Sequence, residues 1–159
     1  MPPTHFARTC ARLCAAASPV LLLLACGAAA ETRTWNGAGS AALWSDSGNW
    51  GGTAPAAGDN LIFSGTGALC TNANDLAVDT SFAGLSFASG TRSYLLTGNR
   101  ITLAGCVTNN TTKDQRINMD IVLDGLRNFC VTNGTSQGNI YLGGTISGAG
   151  GITLSGGKI

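Results

Sequence analysis

Beyond position 63 most apolar residues come in short runs, at 68–71, 76–78, 85–87, 94–97, 101–104, 117–123, 129–132, 140–142, 145–146 and 152–154. This spacing constrains the fold more than any other feature of the chain. Spacers rich in Gly, Asn, Ser and Thr separate the runs, at 89–91, 97–99, 109–112, 133–138 and 147–151. A globular helix needs a sustained apolar period of 3.6 residues, which runs this short cannot supply. Brief strands joined by turns fit them instead. The 23 glycines point the same way, because Gly weakens helices while the intervening Thr, Val, Ile and aromatic residues favour strands. The fold class read from the sequence is all-β.

Two all-β arrangements produce frequent short strands. A sandwich built from hairpins needs tight turns of about two residues between matched strands, and few of the spacers are that short. A β-solenoid, in which each strand stacks on its counterpart one coil later, tolerates irregular corners. The solenoid is the better fit, with coils expected over residues 64–159.

Residues 31–63 read differently. Trp35, Trp44 and Trp50 are the chain's three tryptophans, and the turn signals Asn36-Gly37, Ser47-Gly48-Asn49 and Gly58-Asp59-Asn60 lie around them. Rings spaced in this way share no helix face and must bury to avoid a wide apolar patch. The segment is expected to cap the first open coil. Asp46, Asn49, Asp59 and Asn60 offer oxygen ligands for calcium, but the spaced acidic series and closing Glu of a calcium loop are missing, so they are read as turn formers.

The first thirty residues have the layout of an export signal: Arg8 and Arg12, an apolar run at 15–24 and small residues at 27–30. The apolar run is too short to span a bilayer comfortably. Cleavage before Glu31 competes with a lipobox-like Leu23-Leu24-Ala25-Cys26 that would lipidate Cys26. Leu24 is unusual there, and cleavage before Glu31 is favoured. Losing Arg8 and Arg12 leaves seven basic against eight acidic residues, a net charge of about −1, which argues against nucleic acid or anionic membrane as partner. Cys70, Cys106 and Cys130 remain, with no close Cys-x-x-Cys pair and no histidine, since His5 lies in the signal. They are read as buried small thiols, with a Cys106–Cys130 bridge between neighbouring coils as the alternative.

Residues 114–124 alternate most clearly. Ile117, Met119, Ile121 and Leu123 share one parity, opposite Asp114, Arg116, Asn118, Asp120 and Asp124. A single strand there would carry a solvated polar face. The same carboxylates are the sole candidates for calcium binding or acid/base chemistry of the kind polysaccharide-cleaving β-helices use. No Gly-x-Ser-x-Gly motif or phosphate-binding loop is present, and no catalytic, cofactor-binding or metal-ligating residue is assigned. Sequons at Asn109, Asn110 and Asn133 fit exposed loops.

The stretch Gly143-Gly144-Thr145-Ile146-Ser147-Gly148-Ala149-Gly150-Gly151-Ile152-Thr153-Leu154-Ser155-Gly156 resembles the repeat of bacterial autotransporter-associated β-strand repeat proteins, Gly-x-Ile-Ser-Gly-x-Gly-Gly-Leu-Thr. The Trp-x-Gly, Asn-Trp, Pro, Gly-Asp and Phe order across 35–63 is similar to the opening of those long exported proteins. Leu85-Ser86-Phe87, Tyr94-Leu95-Leu96-Thr97-Gly98 and Ile101-Thr102-Leu103 look like their early strands. The resemblance covers most of the chain after the signal. It implies a right-handed parallel β-helix serving as a surface stalk or passenger, with no catalytic residues to carry over. Family members usually hold many repeats and end in an outer-membrane barrel or sorting tail. This chain shows one convincing repeat and stops at Lys158-Ile159 inside an expected strand. It therefore reads as the front of a longer protein, or as a solenoid whose open end a partner covers.

Three functions follow as expectations. The first is an exported, non-enzymatic structural or adhesive surface module that meets extracellular glycans or cell-surface components. The second is a secreted β-helical polysaccharide lyase or hydrolase, and the third a lipoprotein anchored through Cys26.

Overall fold

The structure, a computed structural model, describes residues 29–67, 69–132 and 138–156. Most of the segment expected to be an export signal, residues 1–28 of 1–30 with Cys26, lies outside the described residues, as do the sequon at Asn133 and the terminal Lys158-Ile159.

The described chain forms short strands arranged as three walls. Wall 1 holds β1 (Thr32–Trp35), β2 (Asn60–Phe63), β5 (Gly84–Phe87), β8 (Val107–Asn109), β11 (Arg127–Val131) and β14 (Ile152–Gly156), in that order. Wall 2 stacks β3 (Thr71–Asn74), β6 (Leu95–Gly98), β9 (Gln115–Ile117) and β12 (Ile140–Leu142), and wall 3 stacks β4 (Thr80–Phe82), β7 (Ile101–Leu103), β10 (Ile121–Leu123) and β13 (Ile146–Ser147). Every strand pairing is parallel, and each coil visits walls 1, 2 and 3 before returning one strand higher. The result is a β-solenoid of about five turns rather than a hairpin sandwich.

Parallel stacking places each residue directly over its register partner, so the core is built from columns. On wall 1, Trp35, Phe63, Phe87, Asn109, Val131 and Gly156 form one column, and Leu61, Leu85, Val107 and Phe129 another. Wall 3 contributes Ile101, Ile121 and Ile146 together with Phe82, Leu103 and Leu123. Wall 2 contributes Leu96, Ile117 and Leu142. Alternate residues of most strands point inward, so one or two inward residues per strand suffice to fill a narrow core.

The same stacking explains the glycines. A Cβ on Gly105 would lie 1.6 Å from the Ala83 carbonyl oxygen of the coil below, and one on Gly138 would lie 1.9 Å from that of Lys113. Corners close this tightly admit no side chain.

Residues 36–59 make an irregular first coil that still reaches the next one. Leu43 bridges Ala73 on wall 2, and the Gly58 amide donates to Ser81 on wall 3 at 2.8 Å. Trp35, Trp44 and Trp50 are buried at the N-terminal end of the core. The Trp50 ring meets Trp35 edge-on at 5.1 Å and Trp44 edge-on at 6.0 Å, and all three pack on Phe63. Each buried ring removes roughly 150–250 Å² from water, a large apolar contribution at this end of the core. The aromatic cap expected from the sequence is present.

Three strand expectations need correction. Residues 76–78 form a corner rather than a strand, with Val78 exposed and Asp79 at a positive φ of 65°. The Leu76 amide there donates to the side chain of Asn74, which draws the chain out of the wall. Strands β4 and β8, and β3 beyond Thr71, arise where no run was expected, because one or two inward residues per strand are enough. The single strand expected across 114–124 is two strands on different walls, β9 and β10, with a corner at 118–120. The parity survives the corner, for Ile117, Met119, Ile121 and Leu123 are all buried.

Candidate functional site

The corner at 118–120 separates the carboxylates that a one-strand reading had placed together. Asp114 Oδ1 accepts hydrogen bonds from the Asn139 amide at 2.9 Å and from Asn139 Nδ2 at 3.1 Å. Asp120 Oδ1 accepts from the Thr145 amide at 2.7 Å, and Asp124 pairs with Arg127. Asp114 and Asp120 thus fasten a coil to the one above it, at different corners.

The cap residues Asp46, Asn49 and Asp59, read from the sequence as turn formers rather than calcium ligands, are likewise committed to backbone. Asp46 accepts from the amides of Ser40, Ala41 and Gly48, and those bonds, led by the one from Ala41, hold its carboxyl below the usual carboxylate range. Asn49 accepts from Gly39 and donates to the carbonyls of Ala41 and Leu43. Asp59 is buried and accepts from the amides of Glu31 and Ala56 and from Arg33 Nε. These residues build the cap, as turn formers do.

The cysteines differ from both sequence readings. All three are unbonded, with Cys70 and Cys130 half-buried and Cys106 exposed. Cys130 stands opposite Thr108, two residues beyond Cys106 in the register, so the two thiols are not stacked partners. The sequon expectation fails at Asn109, which is not on an exposed loop. It is fully buried, and its Nδ2 donates to the carbonyl of Lys113 at 3.1 Å.

Asn109 belongs to a buried polar network with Thr111 and Gln115 at the corner leading from wall 1 to wall 2. Thr111 donates to Asn109 Oδ1 at 2.8 Å. Gln115 Oε1 accepts from the Tyr94 amide at 2.7 Å, while its Nε2 is shared among the carbonyls of Arg92 and Lys113 and the hydroxyl of Thr111. One buried amide therefore ties the backbones of Arg92 and Lys113, which belong to successive coils. Burial pushes the Tyr94 hydroxyl up to about 12, and it donates to the Gly65 carbonyl at 3.0 Å.

Outside this network the corner opens into a pocket of about 560 Å³. Cys70 and Thr71 line it from one coil, Thr91, Arg92 and Ser93 from the next, and Lys113 from a third. Both cations project from exposed residues, and no carboxylate lines the pocket. Thr91 is buried, and its hydroxyl has no hydrogen-bond partner. Burial raises the Cys70 thiol above its ordinary value despite the nearby Arg92, so the thiol stays neutral at neutral pH and adds no negative charge.

Sequence reasoning did not find Arg92, Lys113 or Gln115. The available signal was the interval between the two cations, which equals the offset between Leu95 and its register partner Arg116. That interval acquires meaning only once the coil length is known. Among the described residues no group of three His, Cys, Asp or Glu side chains is placed to hold a metal ion. The chain matches no protein-family model, no curated protein and no solved structure.

Proposed function

We propose that the chain is an exported, non-enzymatic module of the cell surface with a structural or adhesive role, carried as part of an autotransporter-type passenger. One observation carries the reading. Each of the chain's eight acidic side chains has a partner within the chain: Glu31 with Arg33, Asp46 and Asp59 within the cap, Asp75 with Ser45, Asp79 with Arg100, and Asp114, Asp120 and Asp124 as described. A polysaccharide-cleaving site needs carboxylates free to move protons or attack, and these serve as fasteners. Stacked coils build a long rigid surface without any chemically special site. The resemblance of residues 143–156 to the autotransporter-associated repeat supports the export context, with extracellular glycans or cell-surface components as partners.

The test is retention of the secreted protein on cell-wall and extracellular glycans, together with mass spectrometry of its mature N-terminus. Retention and a start at Glu31 are the expected results. Failure to bind any glycan reduces the proposal to a scaffold role. New reducing ends released from a polysaccharide by the protein would overturn the non-enzymatic reading, and a lipidated Cys26 would replace free export with anchoring.

A further inference from the structure

We propose that the pocket at the corner between walls 1 and 2 binds the carboxylate or sulfate group of an acidic glycan, with Arg92 and Lys113 as its cationic contacts. The proposal rests on the adhesive reading above and names its ligand class.

The charge inventory singles out this pocket. Among the described residues, Arg33 pairs with Glu31 and Asp59, Arg100 with Asp79, and Arg127 with Asp124, while the Arg116 guanidinium lies 4.5 Å from the centre of the Tyr141 ring. Arg92 and Lys113 alone among the described cations have neither a carboxylate nor a ring partner, and both line the same pocket. Two uncompensated cations in one concavity favour an anion, and the guanidinium fork matches the geometry of an oxyanion.

The second observation is the unpartnered, buried hydroxyl of Thr91, a lining residue. That hydroxyl is closed off from solvent, so a ligand gains it as a partner only when the Thr91 side chain turns toward the pocket, a rotation that would relieve the cost of leaving it unpaired. Thr71 and Ser93 add further hydroxyls suited to sugar hydroxyl groups. The third is backbone preorganisation: Gln115 pins the carbonyls of Arg92 and Lys113, so the ligand has only the two exposed side chains to order.

The volume of about 560 Å³ falls within the range of small-ligand sites. The ligand is not nucleic acid, because a polyphosphate backbone is held by rows of cations and here there are two.

The experiment is calorimetric titration of the whole secreted protein with trigalacturonate, a sulfated galactose trisaccharide, neutral galactotriose and inorganic phosphate. At least one acidic trisaccharide should bind, more tightly than the neutral sugar and phosphate by about tenfold or more, and the arm that binds identifies carboxylate or sulfate as the group. Arg92→Gln combined with Lys113→Gln should weaken that binding by about tenfold or more, with an unchanged melting temperature, and Thr91→Val should weaken it by a smaller factor. Added salt should weaken wild-type binding, which tests the charge term without any substitution. No binding of either acidic sugar, phosphate binding as tightly as the sugars, or undiminished binding by the double variant would overturn the proposal. Equal retention of wild type and double variant on extracellular glycans would sink this site and leave the adhesive reading standing. No retention of the wild type itself would remove the adhesive reading too.

Discussion

Trp44 and Asn72 meet across the first turn of the solenoid: the indole Nε1 donates a 2.7 Å hydrogen bond to Asn72 Oδ1, and both side chains are buried. The bond joins the cap to β3, and its acceptor is a polar residue facing the core. Replacing Asn72 by Leu leaves the indole N–H buried and unpaired but also removes Asn72 Nδ2, itself buried without a partner, so the net loss should be about 1 kcal/mol. Adding Trp44→Phe removes the orphaned donor, so the double variant should be more stable than the sum of the single losses predicts, with a coupling of about 1 kcal/mol. Chemical denaturation of all four proteins measures the cycle. Strict additivity would show that the bond does not couple cap to coil.

The close approach of successive coils makes a second prediction at Gly105, whose backbone conformation is ordinary but whose Cβ position is occupied by the Ala83 carbonyl. Gly105→Ala should therefore destabilise by about 3 kcal/mol or more, because the coils must part to admit the methyl group. Gly90 is the control, with open space around it but a φ of 82°. Gly90→Ala should lose about 1–2 kcal/mol from backbone strain alone. Denaturation midpoints in the reverse order would mean that the corners yield and that glycine serves there only for its conformation.

The sequence made the walls readable and left the corners obscure, for a physical reason. Inward columns such as Ile101 over Ile121 need apolar residues in short strands, and that pattern shows in the chain directly. Trp35, Trp44 and Trp50 were legible in the same way, since rings of that size have to bury. β3 was missed because its inward residues are Asn72 and Asn74, whose burial is tolerable only with the Trp44 indole and the Asn99 carbonyl as partners. The apolar residues at 76–78 misled because Leu76 packs on the core from a corner while Val78 faces solvent. Arg92 and Lys113 could not be joined in advance, since their proximity depends on the length of one coil. Asn109 looked like a sequon in a loop because nothing local reveals that its side chain points inward.

Asp114 and Asp120 each fasten one backbone amide of the coil above, and the two effects are separable. Asp120→Ala should speed hydrogen exchange at the Thr145 amide and leave that of Asn139 unchanged, and Asp114→Ala should do the reverse. Each should reduce stability by about 1 kcal/mol, the usual net contribution of one hydrogen bond. Nuclear magnetic resonance exchange rates read both amides in a single sample. If neither amide responds, the carboxylates are ordinary solvated groups and their role as fasteners is wrong.

Acid should loosen the cap first. Burial alone would raise the Asp59 carboxyl, but hydrogen bonds from the Ala56 and Glu31 amides and from Arg33 outweigh it and hold the group below its ordinary value of 3.8. A folded-state value below the unfolded one means that Asp59 contributes its stability fully above about pH 4–5 and loses it as pH falls through the depressed folded value. Asp75 shifts in the same direction: burial opposes, and the hydroxyl and amide of Ser45 prevail. The melting temperature should accordingly be flat near neutral pH and fall steadily below about pH 4. Asp59→Asn should melt lower than wild type at neutral pH and show a shallower acid slope, because one of the titrating groups is gone. Thermal melts from about pH 7 to pH 2 test the sign, and a wild-type protein that grows more stable on acidification would contradict the bonding assigned to Asp59.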